Sequence, residues 1–487
     1  MSESEVEFVE ATTTAGDVRG RRRPDGSIAF LGIPFAEPPV GELRFAAPVP
    51  HAPWQGVRDA LEHGATPKRE IRGEQTLVPE PAVAGDSTLN VDVFTPDVAG
   101  SAPVLVYIHG GGYTEGSPAS PWYDGAAFVR DGIVTVNISY RLGFDGWGWI
   151  SDAPSNRGLR DMLLALEWVR DNIRSFGGDP TNVTIAGQSA GGSAVLTLMA
   201  CPAARGLFHR GYAMSAPDTT VEPERAEQLG RRLAELGGVE PTRAGLSTID
   251  ELQVRRMQAQ VAKADDDPAK ALRNLIDDGI AWAPVRDGEL VPERPIEAIR
   301  GGAGADIPLV IGATDDEFSM VLDSAKGKLR FVPPSLLLGR AGVTRALRRS
   351  WLGANRQVRR RGTAATVGRF ISDAMFRVVV VRVVDARGAA PTWVYRFAWR
   401  STKSGIALHC LDVPFFFDCL GDEHVAALTG PNPPQQLADA VHGAAVAFIR
   451  GGDPGWEPVA ASGASRLFDV PDGVDPDAYA GARPLLG

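Results

Sequence analysis

Continuous apolar runs alternate with amphipathic stretches along most of this chain. The runs at 104–108 and 133–140 predict strands that are buried on both faces of a sheet. Between 159 and 176, Leu, Val and Ile recur at helical spacing, and the Gly-Gly-Asp-Pro segment at 177–180 ends the pattern. A short β-branched run at 183–186 predicts the next strand. Strands that alternate with helices in this way predict a large, mostly parallel sheet flanked by helices.

The same alternation continues towards the C-terminus. The run at 307–312 predicts a buried strand that ends in an acidic turn, and 393–397 predicts another strand. Apolar residues between 437 and 449 fall on one face of a predicted helix. The four valines at 378–381 favour a strand by propensity, whereas the charged residues around them suit a helix equally well. That segment therefore stays unassigned.

Two charged stretches, 220–275 and 325–375, have helical patterns. We expect both to form walls of a substrate pocket. The second stretch contains a cluster of arginines, which in an acidic protein indicates a solvated helix face rather than a nucleic-acid site. These arginines are Arg345, Arg348, Arg349, Arg356, Arg359, Arg360 and Arg361.

Composition and charge exclude several classes of function. The chain has 487 residues, of which 44% are hydrophobic and 23% charged, as expected for a globular protein with a large core. Its net charge of −10 argues against nucleic-acid binding and against attachment to an anionic membrane. The acidic N-terminal residues do not predict a signal peptide, and no apolar run is long enough to predict a membrane span. Three cysteines, an odd and sparse set, predict a reducing compartment and hence a cytoplasmic location.

A Gly-x-Ser-x-Gly motif stands between a predicted strand and a predicted helix. It follows the run at 183–186 and consists of Gly187, Ser189 and Gly191 with one residue between each pair. Small residues also cluster in ordinary turns, but strand, turn and helix in this order are typical of a nucleophile elbow. Ser189 is therefore the candidate nucleophile, and the backbone N–H of Ala190 is a candidate donor to a developing oxyanion.

A second glycine-rich turn follows the strand at 104–108. Three consecutive glycines, at 110–112, come directly after His109. Alone, they fit a flexible turn as well as a functional loop. Together with the Ser189 elbow, they favour an oxyanion hole, because glycines let backbone N–H groups approach a reacting carbonyl closely.

A serine nucleophile needs a base, which is usually histidine, and in α/β-hydrolases the acid and then the histidine follow the serine along the chain. Five of the seven histidines precede Ser189, follow it too closely or lie in a helical pattern, namely His51, His63, His109, His209 and His442. His409 lies in a loop just beyond the strand at 393–397, where such a base is expected, and His424 in a polar turn is the alternative.

The acid must follow a strand between the serine and the histidine. The strand at 309–311 leads into three carboxylates in a row, Asp315, Asp316 and Glu317. Spacing alone does not choose among them. The chosen carboxylate would fix the histidine tautomer and stabilise the imidazolium.

Long motifs in a fixed order make the chain resemble the type-B carboxylesterases, which include bacterial para-nitrobenzyl esterases and animal cholinesterases. The matching segments lie at 30–41, 44–45, 109–112, 137–143, 176–180, 187–192, 409 and 412–415. The resemblance spans nearly the whole chain. It implies the α/β-hydrolase fold in a single domain over residues 1–487, with helical insertions at about 220–275 and 325–375 that wall an active-site gorge.

The resemblance also implies roles for individual residues. The acid of the family is the glutamate of an Asp-Glu pair, which here is Glu317. The oxyanion donors correspond to the N–H groups of Gly111, Gly112 and Ala190, and Ser215 falls where the family keeps a serine close to the acid. Ser189, His409 and Glu317 would then hydrolyse a carboxylic ester through an acyl-enzyme, with no metal and no cofactor.

Four positions depart from the family pattern. Phe318 follows the acid where the family has glycine, and Glu115 places a charge just beyond the oxyanion glycines. Cys410 follows His409 where a small residue such as glycine is expected. The segment 86–89 replaces one that carries a disulfide cysteine in secreted members, which agrees with a cytoplasmic location.

Two other functions compete with ester hydrolysis. The same machinery cleaves amides or carbamates in some relatives, and other relatives have lost the nucleophile and act in adhesion. All three triad residues are present here, which disfavours the adhesion alternative. Gln188 stands where cholinesterases carry glutamate, so we expect neutral small-molecule esters of small to medium acyl size as substrates. We expect a monomer or a small homo-oligomer.

Overall fold

The computed structural model describes residues 7–68, 77–263, 270, 273, 274, 279–422 and 424–486. Within these residues, thirteen strands form one sheet. The strands are β1 (Phe8–Thr12), β2 (Asp17–Arg22), β3 (Ile28–Pro34), β4 (Val57–Asp59), β5 (Asn90–Thr95), β6 (Ala102–Ile108), β7 (Val134–Ile138), β8 (Gly178–Gln188), β9 (Arg210–Met214), β10 (Leu309–Thr314), β11 (Thr392–Phe397), β12 (Ser465–Phe468) and β13 (Gly473–Asp475).

The centre of the sheet is parallel, and its two ends are antiparallel apart from β4, which pairs parallel with β2. The strand order is β1-β2-β3-β5-β7-β6-β8-β9-β10-β11-β12-β13, and β4 pairs with β2. All neighbours from β7 to β12 in this order run parallel, whereas β1, β2, β3 and β5 form antiparallel pairs at one end and β13 pairs antiparallel at the other. The central residues of the parallel strands are buried and mostly apolar because helices cover both faces of the sheet.

The register of the parallel strands places five residues in one row across the sheet. Ile108 pairs with Gly187, which pairs with Ala213. Ala213 in turn pairs with Ile311, and Ile311 pairs with Val394. The loops that follow β6, β8, β9, β10 and β11 therefore leave the sheet from a single edge.

The helices lie on both faces of the sheet and beyond this edge. They are α1 (Ala126–Arg130), α2 (Gly143–Trp147), α3 (Arg157–Asn172), α4 (Ala190–Ala200), α5 (Pro223–Gly237), α6 (Arg243–Ser247), α7 (Glu251–Val261), α8 (Pro295–Arg300), α9 (Lys326–Leu329), α10 (Pro334–Arg340), α11 (Arg345–Ala354), α12 (Arg356–Arg359), α13 (Thr363–Ser372), α14 (Val378–Arg387), α15 (Val413–Phe416), α16 (Val425–Thr429), α17 (Gln435–Gly451) and α18 (Val459–Ser462). Short 3-10 turns lie at Gly41–Leu43, Pro121–Tyr123, Ile173–Phe176, Pro202–Ala204, Ser319–Ala325 and Arg483–Leu486, and a π turn spans Asp373–Arg377.

Alternate residues of β6 show how the core divides. Val104, Val106 and Ile108 face a core formed with helices such as α3, α4 and α14. Leu105 and Tyr107 face the opposite core, which includes α15 and α17. Because successive side chains of a strand point to opposite faces, β6 packs against a helical layer on each side of the sheet. A third, smaller core lies within the helices between 334 and 372 and is built on Leu338, Trp351, Leu352, Val367, Phe370 and Ile371.

Most predicted elements are present, and the differences have physical causes. The strand predicted at 183–186 extends over the whole of β8. The unassigned valines at 378–381 begin helix α14, where all four are buried between the sheet and α8. The stretch 325–375 is helical, and the part of 220–275 at 264–269, 271–272 and 275 lies outside the described residues.

The arginine cluster lies on α11 and α12 and on the turn after them. Arg345, Arg349, Arg356, Arg359 and Arg360 are exposed, as a solvated helix face requires. In the same stretch, one arginine turns inward, because Arg361 pairs with a buried carboxylate. The three cysteines are free thiols. Among the described residues, no helix combines the length and the apolar character needed to cross a bilayer.

A buried ion network lies at the end of β10. The carboxylate of Asp315 binds Arg396 at 2.7 Å, Arg377 at 3.0 Å and Arg369 at 3.4 Å. Burial alone would raise the pKa of Asp315, but the three guanidinium groups outweigh burial and hold this pKa well below its ordinary value. Asp316 binds Arg361 at 3.0 Å and lies 3.6 Å from Arg369. The network ties the stretch 325–375, called the helical segment below, to the sheet.

We predict that Asp315→Asn lowers the free energy of unfolding by about 3–5 kcal/mol, because it removes the buried negative charge that three guanidinium groups share. Urea denaturation at neutral pH measures this loss. The stabilisation exists above the ordinary carboxyl pKa of about 4 and disappears as the pH falls through the lower folded pKa, so the two proteins should converge in acid. Asp171→Asn is the control, because Asp171 pairs with Arg170 on the surface, and it should cost less than about 1 kcal/mol. Equal losses in both variants would contradict the prediction.

Candidate active site

Ser189 stands on a sharp turn between β8 and α4. Its backbone has φ 58° and ψ −122°, a conformation that costs free energy in any residue with a side chain. The Ser189 N–H donates to the Met214 carbonyl at 2.9 Å, which anchors the turn to the neighbouring strand. The flanking glycines allow this packing. A Cβ on Gly191 would lie 2.0 Å from the Ile108 carbonyl oxygen, and one on Gly187 would lie 2.4 Å from the Gly191 carbonyl carbon.

The glycine loop after β6 curls back on itself beside this turn. The N–H groups of Thr114 and Glu115 donate to the Gly111 carbonyl at 3.1 and 2.8 Å, and Gly111 takes a φ of 106° to permit it. Within the described residues, the backbone N–H groups of Gly111, Gly112 and Ala190 donate to no other group. Three amides are therefore free to bind an oxygen atom at the edge of the sheet.

Buried side chains fix the ends of this loop. The Tyr140 hydroxyl donates to the His109 carbonyl at 2.8 Å, and the two rings stack at 4.5 Å. Beyond the glycines, Arg255 Nη1 donates to the Thr114 carbonyl at 2.9 Å. Burial lowers the pKa of Arg255, and this is opposed by nearby carboxylates that include Glu115. Glu115 thus has a cation as its electrostatic neighbour.

His409 and Glu317 meet in the buried space beyond β10 and β11. The Nδ1 atom of His409 hydrogen-bonds to Glu317 Oε2, and the His409 backbone N–H donates to the Glu317 carbonyl at 3.0 Å. The other carboxylate oxygen of Glu317 accepts the Thr314 N–H at 2.8 Å. Burial lowers the pKa of His409, but its interactions with Cys410 and Glu317 outweigh burial and raise this pKa above its ordinary value.

The structure brings one of the three adjacent carboxylates to the histidine. Asp315 and Asp316 turn towards the arginines of the ion network, so that Glu317 is the carboxylate that contacts His409. The alternative histidine, His424, is exposed at the start of α16. Of the two histidines that the sequence left open, His409 is the one beside a candidate acid.

The other ring nitrogen of His409 faces the residue before the serine. Its Nε2 atom lies 3.2 Å from Gln188 Nε2, and the Cys410 thiol donates to Gln188 Oε1 at 3.4 Å. With the proton on Nδ1, the Gln188 amide donates to Nε2. In the described residues, Ser189 makes no side-chain hydrogen bond to His409, and the Gln188 amide is the group that contacts Nε2.

Two of the departures from the family pattern lie directly at His409. The Phe318 ring contacts the imidazole with centroids 4.8 Å apart. Phe376, on the π turn, contacts it from another side at 4.9 Å. Cys410 takes a left-handed φ of 65°, which glycine would adopt at lower cost. The sequence singled out Phe318 and Cys410 but missed Phe376, because its segment had no clear periodicity.

Two further buried groups lie near the acid. Ser215 has a left-handed φ of 47°, and its N–H donates to the Gly312 carbonyl at 2.8 Å, next to the strand that carries Glu317. Asp412 accepts a hydrogen bond from the Tyr395 hydroxyl at 2.9 Å. Burial, together with the charge of Glu317, raises the pKa of Asp412 to about 6. In the sequence, Asp412 stands out only as part of a motif, since nothing in the pattern places it beside the acid.

The arrangement offers a hydroxyl, a buried imidazole with a carboxylate behind it, and three free amides at one edge of a sheet. Such a set suits attack on a carbonyl carbon with stabilisation of the oxyanion that forms. No group of three or more His, Cys, Asp or Glu side chains converges on a metal position in the part of the chain that the structure covers.

Comparison with known proteins places the chain among esterases. A model described as the carboxylesterase family matches residues 7–464. Para-nitrobenzyl esterase from Bacillus subtilis is 32% identical over 465 residues, which cover 92% of this chain and 91% of the relative. Phenmedipham hydrolase from Pseudarthrobacter oxydans is 34% identical over 468 residues, which cover 91% of this chain and 90% of the relative.

Solved structures agree with this. A carboxylesterase from Geobacillus stearothermophilus, solved at pH 6.2, matches with a TM-score of 0.82 and 30% identity, covering 97% of this chain and 99% of that chain. A structure described as PNB esterase also matches with a TM-score of 0.82, at 28% identity, covering 98% of this chain and 99% of that chain.

We predict that Gly191→Ala lowers the free energy of unfolding by about 3 kcal/mol, because the added methyl group must push α4 away from the end of β6. Thermal and urea unfolding measure the change. Gly443→Ala is the matched control. Gly443 also lies within a helix, α17, and a Cβ there would have no atom within 4 Å. That control should gain roughly 0.5–1 kcal/mol. If Gly191→Ala were as stable as the control, the close approach at the elbow would be disproved.

Proposed function

The chain belongs to the carboxylesterase family and is a carboxylic ester hydrolase, and we propose that it acts through an acyl-enzyme on Ser189. In this proposal, His409 is the general base, Glu317 orients it, and the N–H groups of Gly111, Gly112 and Ala190 form the oxyanion hole. The observation that carries the proposal is the buried His409–Glu317 hydrogen bond beyond the same sheet edge as the Ser189 turn.

The first half of the reaction acylates the serine. Ser189 Oγ attacks the carbonyl carbon of the ester while its proton passes to His409 Nε2. The carbonyl oxygen becomes an oxyanion, which accepts hydrogen bonds from the three amides. His409 then gives its proton to the alcohol oxygen as the C–O bond breaks. The products are a free alcohol and an acyl group on Ser189.

The second half releases the acid. A water molecule loses its proton to His409 Nε2 and attacks the acyl carbon, and the proton returns to Ser189 Oγ as the acyl group leaves. Throughout, Glu317 accepts the Nδ1–H bond and stabilises the imidazolium. A single oxyanion donor is typically worth about 3 kcal/mol, so the backbone of the glycine loop matters as much as the triad.

Catalysis requires a local exchange of partners at His409. With the proton on Nδ1, Nε2 accepts the Gln188 amide, and it must instead accept the Ser189 hydroxyl before attack. Hydrogen bonds of this kind often tighten only when substrate binds. We propose that the substrate carbonyl, held by the loop amides, draws Ser189 towards Nε2 as Gln188 turns away.

The proposed substrates are neutral, small-molecule esters with small to medium acyl groups. Gln188 supports this, because an uncharged amide beside the nucleophile offers no carboxylate to attract a cationic alcohol. The relatives include an enzyme named for para-nitrobenzyl esters. Rates on matched ester, carbamate and anilide substrates separate this proposal from amide or carbamate hydrolysis, and a tenfold preference for the carbamate would replace it.

We predict that Ser189→Ala abolishes hydrolysis of para-nitrophenyl butyrate, with kcat lower by about 10⁶-fold, because the attacking oxygen is lost. Intact mass after treatment with an organophosphate gives a second readout. The wild type should carry one adduct on Ser189, and the folded variant should carry none. Ser193→Ala is the control, because it removes a buried hydroxyl one turn later in α4. This variant should still carry the organophosphate adduct on Ser189. An adduct on another residue would refute the proposed nucleophile.

We predict two linked changes for Glu317→Gln. The plateau kcat should fall by roughly 10³- to 10⁴-fold, because an amide no longer fixes the tautomer or stabilises the imidazolium. The carboxylate also helps to raise the pKa of His409, so its loss should move the acid limb of kcat/KM to lower pH. Rates between pH 4 and 9 measure both effects. An unchanged plateau would assign the acid to a different carboxylate.

A further inference from the structure

Three rings form a closed triangle around His409. The imidazole lies 4.8 Å from the Phe318 ring and 4.9 Å from the Phe376 ring, and the two phenyl rings lie 5.0 Å apart at 89° to each other. The side chain of His409 is only 4% exposed. Each ring therefore limits the rotation of the other two.

Both phenylalanines are held independently of the imidazole. Phe318 follows Glu317, and the Glu317 carbonyl accepts the His409 backbone N–H, so the residue before Phe318 is bound to the histidine loop. Phe318 also packs against the small core of the helical segment. Phe376 is 1% exposed and belongs to the π turn. Asp373 fixes that turn by binding Arg377 at 2.9 Å and the Trp351 indole N–H at 2.9 Å.

The geometry has an electrostatic consequence as well as a steric one. The interplanar angle of 65° between Phe318 and His409 is that of an edge-to-face pair. The face of a phenyl ring attracts a cation, and the attraction grows when water is excluded. The reaction requires His409 to be neutral before attack and positively charged once it has taken the serine proton. Rings that favour this charged state help the transition state more than the resting enzyme.

We propose that Phe318 and Phe376 are positioning residues that hold the His409 ring between Glu317 and Ser189 and stabilise its imidazolium form. The proposal rests on the proposed role of His409 as the base. It gives a function to Phe318, which stands where the resembling family has glycine. Neither phenylalanine needs to contact the substrate, so the effect belongs to kcat rather than to KM.

The charged and titratable groups near His409 are Glu317 from the β10 loop, Cys410 beside it in the chain, and Asp412 on the same loop. Gln188 from β8 is neutral. A phenylalanine substitution leaves all of these groups in place. A difference between two substitutions at Phe318 therefore reports on the ring and not on a neighbouring charge.

The experiment compares Phe318→Leu with Phe318→Tyr in the full chain, using para-nitrophenyl butyrate from pH 4 to 9. The leucine variant keeps an apolar side chain but has no ring. We expect its plateau kcat to fall by about 5- to 20-fold and its acid limb to move about 0.5–1 pH unit lower, with KM within about twofold. The tyrosine variant should restore both values to within about twofold of wild type. Phe376→Leu should repeat the leucine result.

Phe128→Leu is the matched control, because Phe128 packs against a different histidine, His442, with ring centroids 4.5 Å apart. This variant should change neither kcat nor the acid limb. Melting curves establish that each variant is folded. The proposal is overturned if the leucine variant loses kcat without any movement of the acid limb, or if tyrosine loses as much as leucine. The failure of the proposed function is a separate result, in which the wild type gives no turnover and no organophosphate adduct on Ser189.

Discussion

The register of the parallel strands is the constraint on which the rest of this molecule depends. Because Ile108, Gly187, Ala213, Ile311 and Val394 lie in one row, five loops begin at the same edge of the sheet. The loops after β6, β8 and β10 then need only a few residues to bring their amides, hydroxyl and carboxylate together. A shift of one residue in any pair would turn each side chain of that strand to the opposite face. The register of the sheet therefore determines where the site forms, and the side chains of the loops determine its chemistry.

Electrostatics then sorts the three carboxylates after β10. Arginines from α13, the π turn and β11 bind Asp315, and Arg361 binds Asp316. With both aspartates neutralised in this way, Glu317 is the carboxylate that contacts the buried histidine. The same network joins the helical segment to the sheet, so the residues directly before the candidate acid are held by ion pairs to that segment. A buried network of this kind is costly to break and therefore fixes one arrangement.

Much of this was predictable because it is local or periodic. The predicted α/β-hydrolase fold is confirmed, since buried strands and amphipathic helices carry clear periods and the solved relatives share the architecture. Ser189 and the glycine loop could be found from short motifs, whose backbone demands appear in the sequence. The choice of Glu317 needed the family resemblance, because the arginines that bind its neighbours come from 45 to 81 residues further along the chain. Phe376 was missed for a similar reason: a π turn breaks the helical period at that point.

Strain is concentrated at the candidate site. In the described part of the chain, seven residues other than glycine have positive φ, and four of them, Tyr113, Ser189, Ser215 and Cys410, border the site. Each such residue costs of order 1 kcal/mol or more, which the rest of the fold must supply. In evolutionary terms, selection for heat resistance and selection for turnover act on this edge in opposite directions. Substitutions that raise thermal stability would be expected first at these positive-φ positions, where glycine removes the strain. The stability of the large core is what allows the strained residues to be retained.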